Sequence, residues 1–217
     1  MKQLPLAIAA APEAAFSNFV VGANHELVQA LRVAREPVFY LWGPSGCGKT
    51  HLLQALAMER APAGRFGAAS PLPWVFDADW SLLVIDDCEQ LDAARQQAAF
   101  ALFVDAATHA VPVAAAGRLP PVDLSLRDDL RTRLGWGPVF GVQPLGEHEA
   151  RTALKREADR RGIALADEVI DYLLTRFARD LKHLMALLDR IDDYALERQR
   201  AVTVPLLRQM FAEADAP

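Results

Sequence analysis

The chain has 217 residues, 52% hydrophobic and 24% charged, with a net charge of −5 and two cysteines, Cys47 and Cys88. That length allows one domain or two small ones, and that composition excludes a disordered or fibrous protein. No apolar run reaches the roughly 18–20 residues that span a bilayer, the net charge gives no general attraction for nucleic acid, and two cysteines exclude a disulfide framework and fit a reducing cytoplasm.

Residues 1–15 are rich in alanine and proline and read as a flexible arm. Their start has the outline of a weak export signal, but the apolar stretch is short and Pro5 interrupts it, so a cytoplasmic protein is expected. A helix is predicted over 24–36, capped by Asn24, with Leu27, Val28, Leu31 and Ala34 at helical spacing. Residues 38–42 read as a buried strand that runs into a glycine loop at 43–48, followed by a helix over 49–60. Short strands are predicted at 65–69 and 111–116, a strand buried on both faces at 82–85, a helix over 93–109 and a last strand at 139–142. Alternating strands and helices imply a parallel sheet with covered faces. The pattern then changes to helices over 147–161, 167–178, 180–198 and 204–213, with Asp167, Asp180 and Thr203 as N-caps and Gly162 as a C-terminal stop. The fold class is therefore α/β: a parallel-sheet domain over 16–145, then a small all-helical domain over 146–217.

Gly43-Pro44-Ser45-Gly46-Cys47-Gly48-Lys49-Thr50 fits the phosphate-loop pattern G-x-x-x-x-G-K-[ST]. The glycines let backbone N–H groups converge on phosphate oxygens, and the following helix adds its positive end. Lys49 would reach the phosphates and the Thr50 hydroxyl would bind Mg²⁺. Asp86 and Asp87 close the apolar strand 82–85, where Asp86 would hold the magnesium and Asp87 stands where a water-polarising carboxylate is needed. ADP or ATP with Mg²⁺ is the expected ligand. Phe39, Tyr40, Trp42, Phe100 and Phe103 read as packing residues, as does Met185. His51, His109 and His183 show no metal-ligand spacing with the cysteines, so zinc is not expected.

At these motifs the sequence resembles the DnaA-related AAA+ family, and within it the truncated, regulatory Hda-type branch. Residues 16–24, including Phe19, Val20, Gly22 and Asn24, look like the family's adenine-pocket segment. Residues 43–53, including His51, are similar to its phosphate loop, and Leu130-Arg131-Thr132-Arg133-Leu134-Gly135-Trp136-Gly137 looks like its arginine-finger box. The resemblance spans about 16–214. It implies an AAA+ domain followed by a helical lid, with Lys182 at the place of a lid arginine.

It also gives Arg133 a role in trans, on a loop past the fourth strand, acting on ATP bound to DnaA. Trp136 is expected to pack near the sheet end. Gln3-Leu4-Pro5-Leu6-Ala7-Ile8 resembles the peptide by which the Hda branch binds the DNA polymerase sliding clamp, with Gln3, Leu4, Leu6 and Ile8 as contacts. DNA would then be met only through the clamp. Residues 147–217 hold 12 Lys and Arg against 14 Asp and Glu, so no basic recognition module is expected there.

Three departures stand out. Ala114-Ala115-Ala116-Gly117-Arg118 has no polar side chain before Arg118, where the family places a polar sensor. Lysine replaces arginine at 182 and loses its planar fork. Only 31 residues separate Thr50 from Leu82, so a helix of the family is shortened or absent. The first two place the chain's own hydrolysis in doubt. The implied function is promotion of DnaA-ATP hydrolysis and a block on re-initiation. An autonomous ATPase, or an adaptor that recruits DnaA, remains as the alternative, and self-association through AAA+ faces stays open.

Overall fold

The computed structural model describes residues 14–33, 36–177 and 181–214, of which residues 181, 182 and 214 by backbone alone. The clamp-binding residues Gln3, Leu4, Leu6 and Ile8, the cap Asp180 and the Lys182 side chain lie outside this description. In chain order, the sheet domain comprises α1 (His25–Val33), β1 (Val38–Trp42), α2 (Lys49–Glu59), β2 (Ala63–Phe66), β3 (Leu82–Ile85), α3 (Ala93–Thr108), β4 (Val113–Gly117), α4 (Asp128–Leu134) and β5 (Val139–Gly141). Four helices follow: α5 (Glu147–Arg161), α6 (Asp167–Arg176), α7 (Leu181–Arg198) and α8 (Val204–Ala214).

The strands pair in parallel in the order β2-β3-β4-β1-β5. The three strands whose residues are almost all buried, β1, β3 and β4, take the middle, because a central parallel strand meets helices on both faces. Alternation divides their side chains between two cores. Phe39, Leu41, Leu82, Val84, Ala114 and Ala116 join Leu27, Leu31, Leu52 and Leu56 on the face of α1 and α2. Tyr40, Leu83, Ile85, Val113 and Ala115 join Leu102, Phe103, Leu130 and Leu134 on the face of α3 and α4. Each fully buried leucine here contributes about 1.5–3 kcal/mol of transfer free energy. A third core of Leu154, Ile170, Leu173, Leu188, Ile191 and Leu207 holds α5–α8 together.

Several element ends differ from expectation. β2 begins and ends earlier than 65–69, because Gly67 and Ser70 close a turn on each other: the Gly67 N–H donates to Ser70 Oγ at 2.9 Å, and the Ser70 N–H to the Gly67 carbonyl at 2.9 Å. Residues 67–81 contain neither helix nor strand. Asp167 is the first residue of α6, not its cap; Ala166 holds the cap position. Asn24 does not use its side chain to cap α1. The cap at Thr203 holds, with its Oγ accepting from Leu206 N–H at 3.4 Å. Gly162 ends α5 at φ 73°, and Ile163 N–H returns to the Ala158 carbonyl at 2.9 Å.

The short helix α4 was not expected. Its sequence carries the signal: Asp128 and Asp129 sit in the first turn and Arg131 and Arg133 in the last, each matched to the helix dipole.

A candidate nucleotide cleft and an unpaired arginine

Parallel strands deliver the loops at their carboxyl ends to one edge of the sheet. Here that edge gathers the glycine loop after β1, the two aspartates after β3 and Arg118 after β4. Together with the 14–20 segment and Met185 of α7, the glycine loop, Asp87 and Arg118 enclose a cleft of about 610 Å³. That is the size of an ordinary small-ligand site.

The floor of the cleft is the loop 45–50. Gly48 stands at φ 101°, and a Cβ there would come within 2.7 Å of Phe19 Cε2, so both backbone conformation and space demand glycine. No side chain caps α2, and no acidic residue occupies its first turn. Its leading N–H groups are thus open to an anion. Lys49 is buried beneath them, donating to the carbonyls of Gly43 at 2.8 Å and Pro44 at 2.9 Å. Cys47 is buried with its Sγ 3.8 Å from Lys49 Nζ, and burial pushes its thiol pKa up. The donor set suits a phosphorylated ligand.

Of the residues expected at the nucleotide, Phe19, Val20, Ser45, Gly46, Cys47, Gly48, Lys49, Thr50 and His51 line the cleft. Gly43 and Pro44 do not; they serve through the carbonyls that hold Lys49. His51 Nε2 donates to the Ala15 carbonyl at 3.0 Å and its ring stands 5.5 Å from that of Phe19, so it fastens the 14–20 lip to α2.

Gly22 and Asn24 lie away from the cleft. Gly22 faces Leu145, whose Cδ2 would be 3.2 Å from an added Cβ. Asn24 is buried and pairs twice with Gln143, donating to its carbonyl at 2.9 Å and accepting from its N–H at 2.8 Å.

The aspartates divide. Asp87 lines the cleft with Thr50, at the left-handed φ of 51°. Asp86 is half-buried, is not among the lining residues, and turns Oδ1 back to accept from Asp87 N–H at 2.9 Å. A hydroxyl and a carboxylate in one cleft are hard oxygen donors of the kind Mg²⁺ takes.

The stretch 114–117, which has no polar side chain, leaves no room for one at its last position. A Cβ at Gly117 would collide with the hydroxyl of Tyr40 and stand 3.1 Å from Glu89 Oε2. Tyr40 is fully buried, donates to the Leu119 carbonyl at 3.1 Å, and has its pKa raised by burial. The space a side chain at 117 would need is therefore filled from β1. Glu89, Gln90, Arg118 and Met185 also line the cleft, and none was assigned to it from sequence; Met185, read as a packing residue, packs against the lid core as well. Arg118 directly follows β4, the one cue that could have found it; its N–H donates to Glu89 Oε2 at 3.1 Å.

Arg133 lies elsewhere and does not line the cleft. It sits in the last turn of α4, a helix rather than the expected loop, because residues 128–134 form a dipole-matched turn pair. Its helix neighbours are engaged: Arg131 pairs with Asp128 at 2.6 Å, and Arg127 with Asp129 at 2.6 Å. Among the described residues the Arg133 guanidinium has no ion pair or hydrogen bond. Its Cζ instead lies 4.9 Å from the Phe100 ring centroid and 4.7 Å from that of Trp136. Trp136 is 59% exposed rather than packed at the sheet end, and Phe100 is half-buried beneath Arg133 and Arg127 rather than in the core. No helix among the described residues is long and apolar enough to cross a membrane.

Comparison with known proteins places these features. Residues 147–211 match the family model described as Hda, lid domain, and residues 11–64 match that of the bacterial DnaA ATPase domain. An uncharacterized protein of Haemophilus influenzae is 32% identical, over 96% of this chain and 98% of its own length. Among solved structures, domain III of Thermotoga maritima DnaA aligns at TM-score 0.77 with 19% identity, over 96% of this chain and 100% of its own. AMPPCP-bound DnaA from Aquifex aeolicus aligns at 0.64 with 23% identity, over 84% and 66%. The Thermotoga maritima RuvB branch-migration motor aligns at 0.62 with 18% identity, over 87% and 68%. A parallel five-stranded sheet, a phosphate loop and a C-terminal helical lid accord with these matches, and the chain belongs to the Hda/DnaA-related AAA+ family of replication-initiation proteins.

Proposed function

We propose that this chain is an Hda-type regulator of replication initiation. Tethered to the sliding clamp through residues 3–8, it docks on DnaA and brings Arg133 to the ATP that DnaA holds. Hydrolysis to ADP then blocks re-initiation. One observation carries the reading: Arg133 is the arginine of its helix that is left without a carboxylate, and it stands outside the chain's own cleft. An arginine so placed serves another molecule's phosphate better than its own. Such a finger is worth roughly 10³–10⁵ in rate.

The chain's own cleft would hold ADP or ATP. Phe19 and Val20 would bear on the base, while the 45–49 backbone, Lys49 and the start of α2 would hold the phosphates. Thr50 with Asp87 or Asp86 would hold Mg²⁺, which when bound offsets phosphate charge. The Lys182 side chain would complete the site from the lid. Gly117 and the Tyr40 hydroxyl that fills its space favour slow hydrolysis here. Asp87, Glu89 and Arg118 in the cleft favour the second reading, an ATPase in its own right.

The test is hydrolysis of DnaA-bound ATP with and without DNA-loaded clamp. Wild-type chain should stimulate it only with the clamp. Arg133→Ala should fold, bind nucleotide and bind the clamp, yet stimulate at least 10³-fold less, by roughly the lower limit of a finger's worth. Arg133→Lys should be nearly as weak, since a point charge does not reproduce the fork. Full stimulation by Arg133→Ala would sink the reading, and rapid turnover by the isolated chain would favour the second one.

A further inference from the structure

The aromatic surroundings of Arg133 have no place in the reaction as described so far. Phe100 comes from α3 and Trp136 from the turn after α4, and the Arg133 Cζ lies within 5 Å of both ring centroids, at 4.9 and 4.7 Å. These contacts are separated in sequence by more than thirty positions on one side and by three on the other, so the fold, not the local helix, brings them together.

Trp136 is 59% exposed, and its ring lies against the Arg133 guanidinium at the surface rather than in the core. Neighbouring acids are not free to replace the rings as partners. Asp128 and Asp129 are bound to Arg131 and Arg127, and Gln97 of α3 is held by Arg127 as well.

We infer that Phe100 and Trp136 are positioning residues that hold the Arg133 guanidinium ready for an anion of a partner molecule, a proposal that rests on the finger reading above. The physical case turns on which part of the guanidinium each interaction uses. A carboxylate would bind the edge N–H donors, and that bond would have to break before a phosphate oxygen could take them. An aromatic ring attracts the cation through its π-face and consumes no N–H donor. The rings thus restrict the side chain while leaving its donors available. An unrestrained arginine loses rotamer freedom when it docks, which costs roughly two- to tenfold in the rate or affinity it supports. Ordering it beforehand removes that loss.

Two measurements test this. In the isolated protein, the NMR resonance of Arg133 Nε–Hε should be shifted upfield by ring current, and should return toward the free-arginine position in Trp136→Leu and in Phe100→Leu. In the DnaA-ATP hydrolysis assay with loaded clamp, both leucine variants should lower the saturated rate by roughly fivefold, with little change in the concentration giving half-maximal stimulation. Trp136→Phe should recover most of the rate, since it restores a ring where leucine restores only bulk. An unshifted Arg133 resonance in the wild type would overturn the proposal. So would a full saturated rate in Trp136→Leu with a raised half-maximal concentration, because Trp136 would then be a docking contact. Lost stimulation in Arg133→Ala with undiminished rates in both leucine variants would overturn this proposal alone. Undiminished stimulation in Arg133→Ala would overturn the finger reading and this inference with it.

Discussion

Lys49 directs its amine at the carbonyls of Gly43 and Pro44, at 2.8 and 2.9 Å, in a position from which a phosphate can take it. Lys49→Ala should weaken ADP and ATP binding by about 1.5–3 kcal/mol, the worth of a charge-assisted contact. Calorimetry returning the wild-type affinity would remove the cleft from this role. Asn24 gives a different kind of prediction. Truncation to alanine deletes two part-buried bonds that tie α1 to the chain after β5, so Asn24→Ala should cost about 1–3 kcal/mol in urea unfolding. Asn24 shows where sequence reading stopped. Its type and place suited a cap or a ligand contact, but its partner is 119 residues away. Lys49 and Gly48 were legible because the loop they serve is continuous in sequence. Arg118 and Met185 were not, because the fold alone brings them to the cleft and neither has a characteristic spacing.

At the scale of elements, α5 offers two tests. Gly162 is left-handed at φ 73° with nothing within 4 Å of a Cβ, so Gly162→Ala should cost about 1 kcal/mol from backbone conformation alone. Chemical denaturation of the two proteins reads it directly. Glu157, on the same helix, accepts from Arg160 and then from Arg161, which also reaches Asp189 of α7. These bonds push its pKa from 4.5 down to about 2. A carboxylate lowered in the folded state stabilises it fully above the unfolded value and loses that effect as pH falls toward the folded one. Stability should therefore decline between pH 4.5 and 2, and the decline should be shallower in Glu157→Gln. Strands and long helices were readable because burial on both faces writes a continuous apolar run and an amphipathic helix writes a period. α4 was not: seven residues are too short for a period, and a motif had already claimed them. The β2 end was misplaced because a turn made by Gly67 and Ser70, not hydropathy, stops the strand.

Taken whole, the molecule joins a two-faced sheet domain to a helical lid whose Met185 reaches the cleft. A ligand held between the two should stabilise both. At a hundredfold excess over its Kd, nucleotide adds about 2.7 kcal/mol, which for a chain of this size is roughly 5–10 °C in Tm. A Tm that ignores ADP and ATP would contradict a closed cleft. The sheet and the lid were visible in sequence as a change of hydrophobic period, and the phosphate loop as a continuous motif. The separation of Arg133 from the cleft was implied only by resemblance, since no periodicity records which face a surface helix presents.

The lip at 14–20 and the Asn24–Gln143 pairing together have a mechanical consequence. A chain pulled from residue 14 loads first the His51–Ala15 bond and the contact of Phe19 with the glycine loop. Those fasteners are loaded one at a time, as in peeling. The pair of hydrogen bonds at the buried Asn24 side chain is loaded in parallel, so the peel stops there. Tension on the N-terminal segment would open one wall of the cleft and leave the sheet intact. Nucleotide would then dissociate faster from a stretched tether than from a slack one.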